Sequence, residues 1–344
     1  MPRIPFISAS LSPHDHLDAY DVEQRLRRFL NSLRGDPYCS LTEDERNRVK
    51  RRTRRYLSWR EEKSGLAHLS RAERGRLDTL RQGAELKVIE TEHQADEIAS
   101  VLHSEMPWMA PATEQVWRDL RLSVRRGDAA PRLSPLLLVG PPGIGKSFWA
   151  RRLAEALSVP ACVIEATGEP AGFSVSGTQR GWGSAGAGKP LEAILNSGIA
   201  NPIVVVDEVE KAGQVTSNKG TPYQLADALL PLLEPLTAAA WSCPYFRVKF
   251  DMSWIGWVLT ANSLHGLPPP LLSRCPPVQL APLSKEQLAG FARREGKRRG
   301  LGEDAIGAVE DVIASVSKPR LVSLRTVSRM LDNVASAAVR PSLH

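Results

Sequence analysis

The chain has 344 residues, enough for two or three modules and a sizeable hydrophobic core. Hydrophobic residues make up 42% and charged residues 24%, the balance of an ordinary soluble globular protein. No apolar run is long enough to cross a bilayer, and the first residues lack the apolar stretch of a signal peptide. The four cysteines form no CxxC pair, so we expect neither a zinc site nor a disulfide framework, no membrane partner, and a reducing cytoplasm as the location.

Residues 1–90 are polar and carry the spacing of helices. Apolar residues recur at helical intervals from Asp15 to Leu33. Thr42, with Glu45 three residues later, fits the capping box of a second helix, and a third is expected near Ser70. No chemical motif occurs in this region, so we predict a basic helical N-terminal region without catalytic residues.

Part of the net charge of +7 is concentrated in one run, Arg46–Arg60. Eight of its fifteen positions are Arg or Lys, and none is Asp or Glu. Such a run is typical of a surface that contacts nucleic acid or another acidic partner. A solvated basic helix face without a partner explains the same pattern, and acidic residues flank the run on both sides.

Residues 91–281 change to an alternation of strands and helices. Three apolar runs, at 136–139, 203–206 and 255–259, are predicted as buried strands, and each is followed at once by polar or glycine-rich sequence. Strands that alternate with helices predict an α/β fold with a parallel sheet flanked by helices. Because polar or glycine-rich residues follow the strands, we expect the functional site at the carboxyl ends of the strands. The remaining segment, 282–344, is predicted as a small helical domain.

A phosphate-binding loop follows the first of these strands. The sequence GPPGIGKS fits the pattern GxxxxGK[ST], with a strand before it and an amphipathic helix after it, as the motif requires. Its backbone N–H groups would wrap the phosphates of ATP, its lysine would reach the β- and γ-phosphates, and its serine would hold Mg²⁺. The eight residues are Gly140, Pro141, Pro142, Gly143, Ile144, Gly145, Lys146 and Ser147.

A pair of acidic residues ends the second strand. In IVVVDEVEK the apolar run delivers Asp207 and Glu208 to the carboxyl edge of the predicted sheet. We expect Asp207 to complete the Mg²⁺ shell with Ser147. Glu208 is placed to polarise the attacking water, since in-line hydrolysis needs a positioned base.

With both motifs present, the chain resembles the AAA+ module of Lon proteases from about Ser134 to Met330. The resemblance extends to the segment after the second acidic motif, YQLADALLPLLEP at 223–235 and YFRVKFDMSWIGWVLTANSLHGLPPPLLSRC at 245–275. It implies a P-loop AAA+ fold with a C-terminal helical lid, ATP hydrolysis with Mg²⁺, and a ring of identical subunits, in this family a hexamer.

The resemblance also assigns further residues. Asn262 matches the sensor-1 position, which helps to orient the water near the γ-phosphate. Arg274 matches the arginine finger, which acts across a subunit boundary, and Arg325 matches the sensor-2 arginine of the lid, although Arg320 and Arg329 are close to it. Each arginine is alternatively an ordinary surface residue.

The glycine-rich stretch SGTQRGWGSAGAGK at 176–189 resembles the first pore loop of Lon, in which an aromatic residue grips a polypeptide. Trp182 occupies the aromatic position, and the alternative is a tryptophan that packs against a neighbouring helix.

The chain also departs from the family. The peptidase domain that follows the lid in Lon proteases has no counterpart before His344, so we expect ATPase activity without peptidase activity. The long substrate-binding region of Lon is replaced by the short segment 1–90.

Three functions fit this sequence. The first is a Lon-like remodelling ATPase that acts on a protein client, with or without a separate effector subunit. The second is a nucleic-acid motor or loader, supported by the run Arg46–Arg60. The third is a regulatory subunit that uses ATP as a switch, against which the full set of site residues argues.

Overall fold

The computed structural model describes residues 2–8, 17–36, 39–167, 171–181, 185–212, 215–216, 222–317 and 322–339. The helices in these ranges are α1 Ala19–Arg34, α2 Glu43–Ser64, α3 Arg71–Asp78, α4 Glu92–Glu105, α5 Ala110–Arg126, α6 Lys146–Ala156, α7 Ala171–Ser176, α8 Lys189–Ser197, α9 Leu225–Leu233, α10 Pro235–Ala238, α11 Pro269–Arg274, α12 Lys285–Arg298, α13 Glu303–Ser315 and α14 Leu324–Val339. The strands are β1 Arg3–Ile4, β2 Ala84–Glu85, β3 Leu136–Val139, β4 Ala161–Glu165, β5 Ile203–Asp207, β6 Val215–Thr216, β7 Pro222–Tyr223, β8 Trp241–Ser242, β9 Lys249–Phe250, β10 Gly256–Ala261 and β11 Pro277–Gln279.

Five of these strands form one parallel sheet in the order β11-β3-β10-β5-β4. The remaining strands are two-residue antiparallel pairs. Helices lie between the parallel strands along the chain, as crossover connections in a parallel sheet require. The parallel sheet flanked by helices, with a helical region at the C-terminal end, confirms the predicted α/β P-loop fold.

The strands at the centre of the sheet are buried on both faces, which explains their uninterrupted apolar sequences. Successive residues point to opposite faces, so Leu137 and Val204 join one hydrophobic cluster while Leu136 and Val205 join the other. The first cluster is covered by α7, α8 and α9. The second is covered by α4, α5 and α6 and is continuous with the helices α12, α13 and α14, which we call the lid.

The helices of the N-terminal region have capped N-termini. Thr42 and Ser70 cap α2 and α3 with the reciprocal hydrogen bonds of the capping box, as predicted for Thr42 and Glu45. Both ends of this region belong to the main core, because Phe6, Leu77 and Leu86 are buried in the same cluster as the central sheet. The hydrophobic core therefore crosses the boundary predicted at residue 90, and the polar pair α1 and α2 remains as the part outside it.

None of the helices in the described part of the chain combines the length and the apolar character needed to span a membrane. The four cysteines are free thiols, and three of them, Cys162, Cys243 and Cys275, are buried. Burial raises the pKa of Cys162 to about 11 and that of Cys275 to about 12, so both are neutral and unreactive at ordinary pH.

Candidate functional site

The strand order places the ends of three neighbouring strands beside one another. β10 lies between β3 and β5, so the loop after β3 and the residues that end β5 and follow β10 share one edge of the sheet. This edge carries Lys146 and Ser147 from the loop, Asp207 and Glu208 from β5, and Asn262 from β10. Sequence reasoning predicted each of these five residues for one site, and the structure brings them together.

The conformation and close contacts of the phosphate-binding loop restrict which residues it can contain. Gly143 and Gly145 have φ of 75° and 94°, in the region that favours glycine. A Cβ atom on Gly143 would also lie 2.6 Å from the Cβ atom of Ser323 in the lid. The indole N–H of Trp108 donates to the carbonyl oxygen of Ile144 at 2.8 Å. The loop is therefore in contact with Trp108 and Ser323, and these contacts favour a preformed shape for phosphate binding.

Lys146 begins α6, and its side chain is bound within the site. Only 7% of the residue is exposed. Its ammonium group donates to the carbonyl oxygens of Gly140 at 2.6 Å and Pro141 at 3.0 Å, and to Oδ1 of Asn262 at 3.0 Å. All three donor positions of the ammonium are therefore used, and the lysine is tied to both the loop and the end of β10.

Asp207 is the centre of an oxygen cluster. Its Oδ1 accepts from the hydroxyl of Ser147 at 2.7 Å and from the hydroxyl of Thr260. Thr260 is fully buried, and its Oγ1 also accepts from the backbone N–H of Glu208 at 3.1 Å. Thr260 was not predicted, since a threonine inside an apolar strand has no recognisable motif. It fixes the orientation of Asp207 and the start of the turn that follows.

Glu208 has a left-handed backbone, with φ of 57° and ψ of 49°, which is uncommon for a residue with a side chain. Its Oε1 forms an ion pair with the ammonium of Lys211 at 2.8 Å, and this pair raises the pKa of Lys211. The amide of Asn262 lies 3.4 Å from the same oxygen. The unusual turn therefore aims the carboxylate back toward Asn262 and the loop.

Glu210 is a site residue that sequence reasoning missed. Its Oε1 accepts from the backbone N–H of Asn262 at 3.0 Å and from the Asn262 side-chain amide at 2.9 Å. Its Oε2 is buried and has no hydrogen-bond partner in the described part of the chain. The only signal was a third acid in the run DEVEK, which looks like surface sequence.

Three acidic side chains oppose the effect of burial on the pKa of Lys146. Burial lowers the pKa of Lys146, and the negative charges of Glu210, Asp207 and Glu208 oppose that effect. A cation is thereby retained in a site that is largely shielded from solvent.

An open cavity of about 490 Å³ lies over these residues. Its floor is the loop and the ends of β5 and β10, and Phe148 and Arg151 of α6 form part of its wall. The lid contributes Phe291, Glu295, Arg298, Leu324, Arg325, Ser328 and Arg329. The structure thus places Arg325 at the cavity, where three further arginines share the rim. A cavity of this size with a cationic rim suits a phosphorylated ligand.

Arg274 lies apart from the described lining of this cavity. It ends α11, where its Nη1 donates to the carbonyl oxygen of Pro270 at 3.3 Å and its Nε lies 3.6 Å from a carboxylate oxygen of Glu234. Its side chain is about one-third exposed. Within one subunit it does not reach the predicted site.

Trp182 lies outside the described residues, but the base of its loop is described. Gly177 and Ala187 form an isolated antiparallel bridge. Arg180 pairs with Glu73 of α3 and lies over the ring of Tyr245, with 5.6 Å from its guanidinium carbon to the ring centroid. Burial acts to raise the pKa of Glu73, but hydrogen bonds from Ser70, Tyr245 and Arg180 outweigh it and lower the pKa to about 2. The loop is therefore anchored on the body of the protein.

Comparison with known proteins shows which proteins this module is similar to. Residues 136–283 match the model of the AAA family, the ATPase family associated with various cellular activities. The chain is 28% identical over 267 residues to the peroxisomal Lon protease homolog 2 of Spinacia oleracea, covering 69% of this chain and 29% of that protein. It is 30% identical over 223 residues to Lon protease 2 of Thermus thermophilus, covering 63% and 27%. The chain therefore spans little more than a quarter of the length of these relatives, and the matches confirm the predicted resemblance to the Lon AAA+ module.

A solved structure supports the fold. The S. cerevisiae Hsp104:casein complex in its extended conformation aligns with a TM-score of 0.56 and 19% identity, over 73% of this chain and 49% of the Hsp104 chain. At that identity the likeness concerns the fold alone.

Proposed function

We propose, from the premise that residues 136–283 form an AAA ATPase module similar to that of the Lon proteases, that this chain binds ATP with Mg²⁺ and hydrolyses it. One observation carries the proposal. A buried lysine, a serine–aspartate pair and a glutamate–asparagine pair meet at one sheet edge, beneath an open cavity. P-loop hydrolysis needs these groups together, because it depends almost entirely on positioning and charge stabilisation.

The residues present fit the nucleotide and its metal. The loop 140–147 has the backbone for a phosphate cradle, and the N-terminus of α6 presents its positive end to the same place. Lys146 would exchange its carbonyl partners for phosphate oxygens. Ser147 and Asp207, whose oxygens lie 2.7 Å apart, would hold Mg²⁺, which when bound neutralises charge on the phosphates. Phe148, Phe291 and Arg325 would face the rest of the nucleotide.

Hydrolysis then requires a water that is held and polarised. We assign Glu208 as the base and Asn262 as the group that orients the water. The ion pair between Glu208 and Lys211 has to open for Glu208 to act, since both compete for the same oxygen. Arg274, which lies away from its own cavity, is assigned to the site of a neighbouring subunit in a closed ring, a hexamer by resemblance.

The proposed output is the remodelling of a protein client that passes the ring axis, where Trp182 would grip it. The relatives matched over this module are Lon proteases, and a protease acts on a protein, which supports a protein as the client. A separate effector subunit would supply any further activity. We also propose a division into a nucleotide-binding domain at 91–281, a lid at 282–344 and an N-terminal region at 1–90, whose residues Phe6, Leu77 and Leu86 pack into the core of the nucleotide-binding domain.

Two variants test the ATP site. Lys146→Ala is expected to abolish tight ATP binding in isothermal titration, because it removes the cation of the cradle. Glu208→Gln is expected to keep ATP affinity and lose most phosphate release, because only the base is changed. Lys63→Ala, at an exposed lysine of α2, is the matched control. Unchanged ATP affinity in Lys146→Ala, or equal loss of binding in both variants, would contradict these roles.

A further inference from the structure

The exposed side of α2 carries a dense group of cations that the ATPase site does not use. Between residues 47 and 55 every solvent-facing position except Asn47 is basic, and the two buried positions are Val49 and Thr53. We call this surface the basic face of α2. Its residues are Arg48, Lys50, Arg51, Arg52, Arg54 and Arg55.

These cations are not compensated within the described part of the chain. Several surface arginines elsewhere are paired, as Arg76 is with Glu192, Arg118 with Glu114 and Arg293 with Glu310. No ion pair of the described residues includes any member of the basic face. The face also places like charges four residues apart, at 48 and 52, 50 and 54, and 51 and 55, which destabilises a helix. An anionic ligand would relieve this repulsion.

The arrangement of the cations favours a ligand with charge on two sides. At 100° per residue the six side chains spread around the whole solvent-facing part of α2, while Val49 and Thr53 lie on its buried side. A helix is about 10–12 Å across, and the major groove of B-DNA is about 12 Å wide with a row of phosphates on each side. Cations on both flanks of one helix match that geometry.

The composition of the basic face favours nucleic acid over an acidic protein as the ligand. Five of the six cations are arginine, whose planar guanidinium binds phosphate oxygens in pairs. Protein interfaces depend on buried aromatic and aliphatic anchors, and the solvent-facing positions from 47 to 55 hold no apolar side chain. Asn47, which is exposed and uncharged, supplies a hydrogen-bonding group beside the cations.

We propose that the basic face of α2 binds the phosphate backbone of duplex DNA, with α2 lying in the major groove. The site is remote in sequence from the ATPase residues and stands independently of the proposed ATPase function.

The test is the affinity of the full chain for a fluorescein-labelled 20-base-pair duplex, measured by fluorescence anisotropy from 50 to 200 mM salt without nucleotide. The triple variant Arg48→Gln/Arg51→Gln/Arg55→Gln removes three of the cations and keeps good helix formers. Each lost phosphate contact reduces the slope of log K against log salt by about 0.9, so the slope should fall by about 2.7. If affinity at 1 M salt is unchanged, binding at 0.1 M salt weakens by roughly 500-fold.

The control is Arg76→Gln/Arg118→Gln/Arg293→Gln, which changes the net charge equally at arginines that already have partners. It should keep the slope within about one unit, since it removes no phosphate contact. An equal loss in both triple variants, or an unchanged slope in the α2 variant, overturns the proposal. Binding of poly-glutamate as tight as that of the duplex also overturns it, in favour of an acidic protein. If the wild-type chain binds DNA but shows no ATPase activity, only the proposed ATPase function is contradicted.

Discussion

Glu210→Ala probes how the asparagine at the end of β10 is held in place. Glu210 accepts both the backbone N–H and the side-chain amide of Asn262, at 3.0 and 2.9 Å. Alanine removes both acceptors and frees the amide that we propose orients the attacking water. Glu210→Gln is the matched control, because its carbonyl oxygen accepts from the same two donors.

The magnitude follows from these two bonds. Leaving partly buried donors without an acceptor costs about 1–3 kcal/mol of unfolding free energy. Displacing an orienting group by about 1 Å costs on the order of 10²-fold in rate. ATP affinity should change little, since Lys146 keeps its carbonyl partners from the loop. Loss of the Glu210 charge removes one of the acids that oppose the effect of burial, so the pKa of Lys146 falls further.

Phosphate release at saturating ATP, titration calorimetry and thermal melting separate these effects. We expect Glu210→Ala to lose about 10²-fold in kcat with ATP affinity within a few-fold. Glu210→Gln should retain most of the turnover. Wild-type kcat in Glu210→Ala would refute the positioning role. Equal loss in both variants would refute the hydrogen-bond explanation, because it would make the charge of Glu210 the essential property.

Three further predictions concern other parts of the molecule. Arg274→Ala should bind ATP but hydrolyse it slowly, and mixing it with Lys146→Ala subunits should restore turnover. No recovery among exchanging subunits contradicts an arginine that acts across a boundary. Trp182→Ala should leave basal ATPase within a few-fold and abolish client-stimulated turnover, whereas Trp182→Tyr keeps much of it. A loss of about 3–5 kcal/mol in unfolding free energy would instead identify Trp182 as a core residue. The lowered pKa of Glu73 stabilises the fold above its unfolded value of about 4.5, and this stability is lost as the pH falls toward about 2. Glu73→Gln should therefore melt lower than the wild type at pH 7, with a difference that shrinks below pH 4.5, and a pH-independent difference contradicts the anchor.

The strands that carry the site could be predicted because burial on both faces leaves a strong signal. The runs predicted at 136–139 and 203–206 correspond to β3 and β5, which are apolar throughout and are followed by the chemical motifs. β4 and β11 were missed because they lie at the edges of the sheet. β4 alternates between exposed and buried residues, and β11 is a three-residue strand that begins with proline.

The attachment of the N-terminal region could not be predicted because distant pairs create it. Arg3 pairs with Glu85 in the two-stranded sheet of β1 and β2, and the ring centroids of Phe6 and Phe250 lie 5.6 Å apart. Strands this short carry no periodicity, and no local pattern joins residues that far apart in sequence. Glu210 was missed for a related reason, since its partner Asn262 lies 52 residues away.

The phosphate-binding loop contacts the lid directly at the start of α14. The backbone N–H of Leu324, the first residue of α14, donates to the carbonyl oxygen of Gly143 at 3.0 Å. Gly143 also has no room for a side chain against Ser323, so loop and lid are in direct contact. The same helix places Arg325 and Arg329 at the cavity. Because α14 packs against α12 and α13, its first residues are the place where the loop contacts the three-helix lid. In the ATPase that we propose, this contact would connect the phosphate-binding loop to the position of the lid.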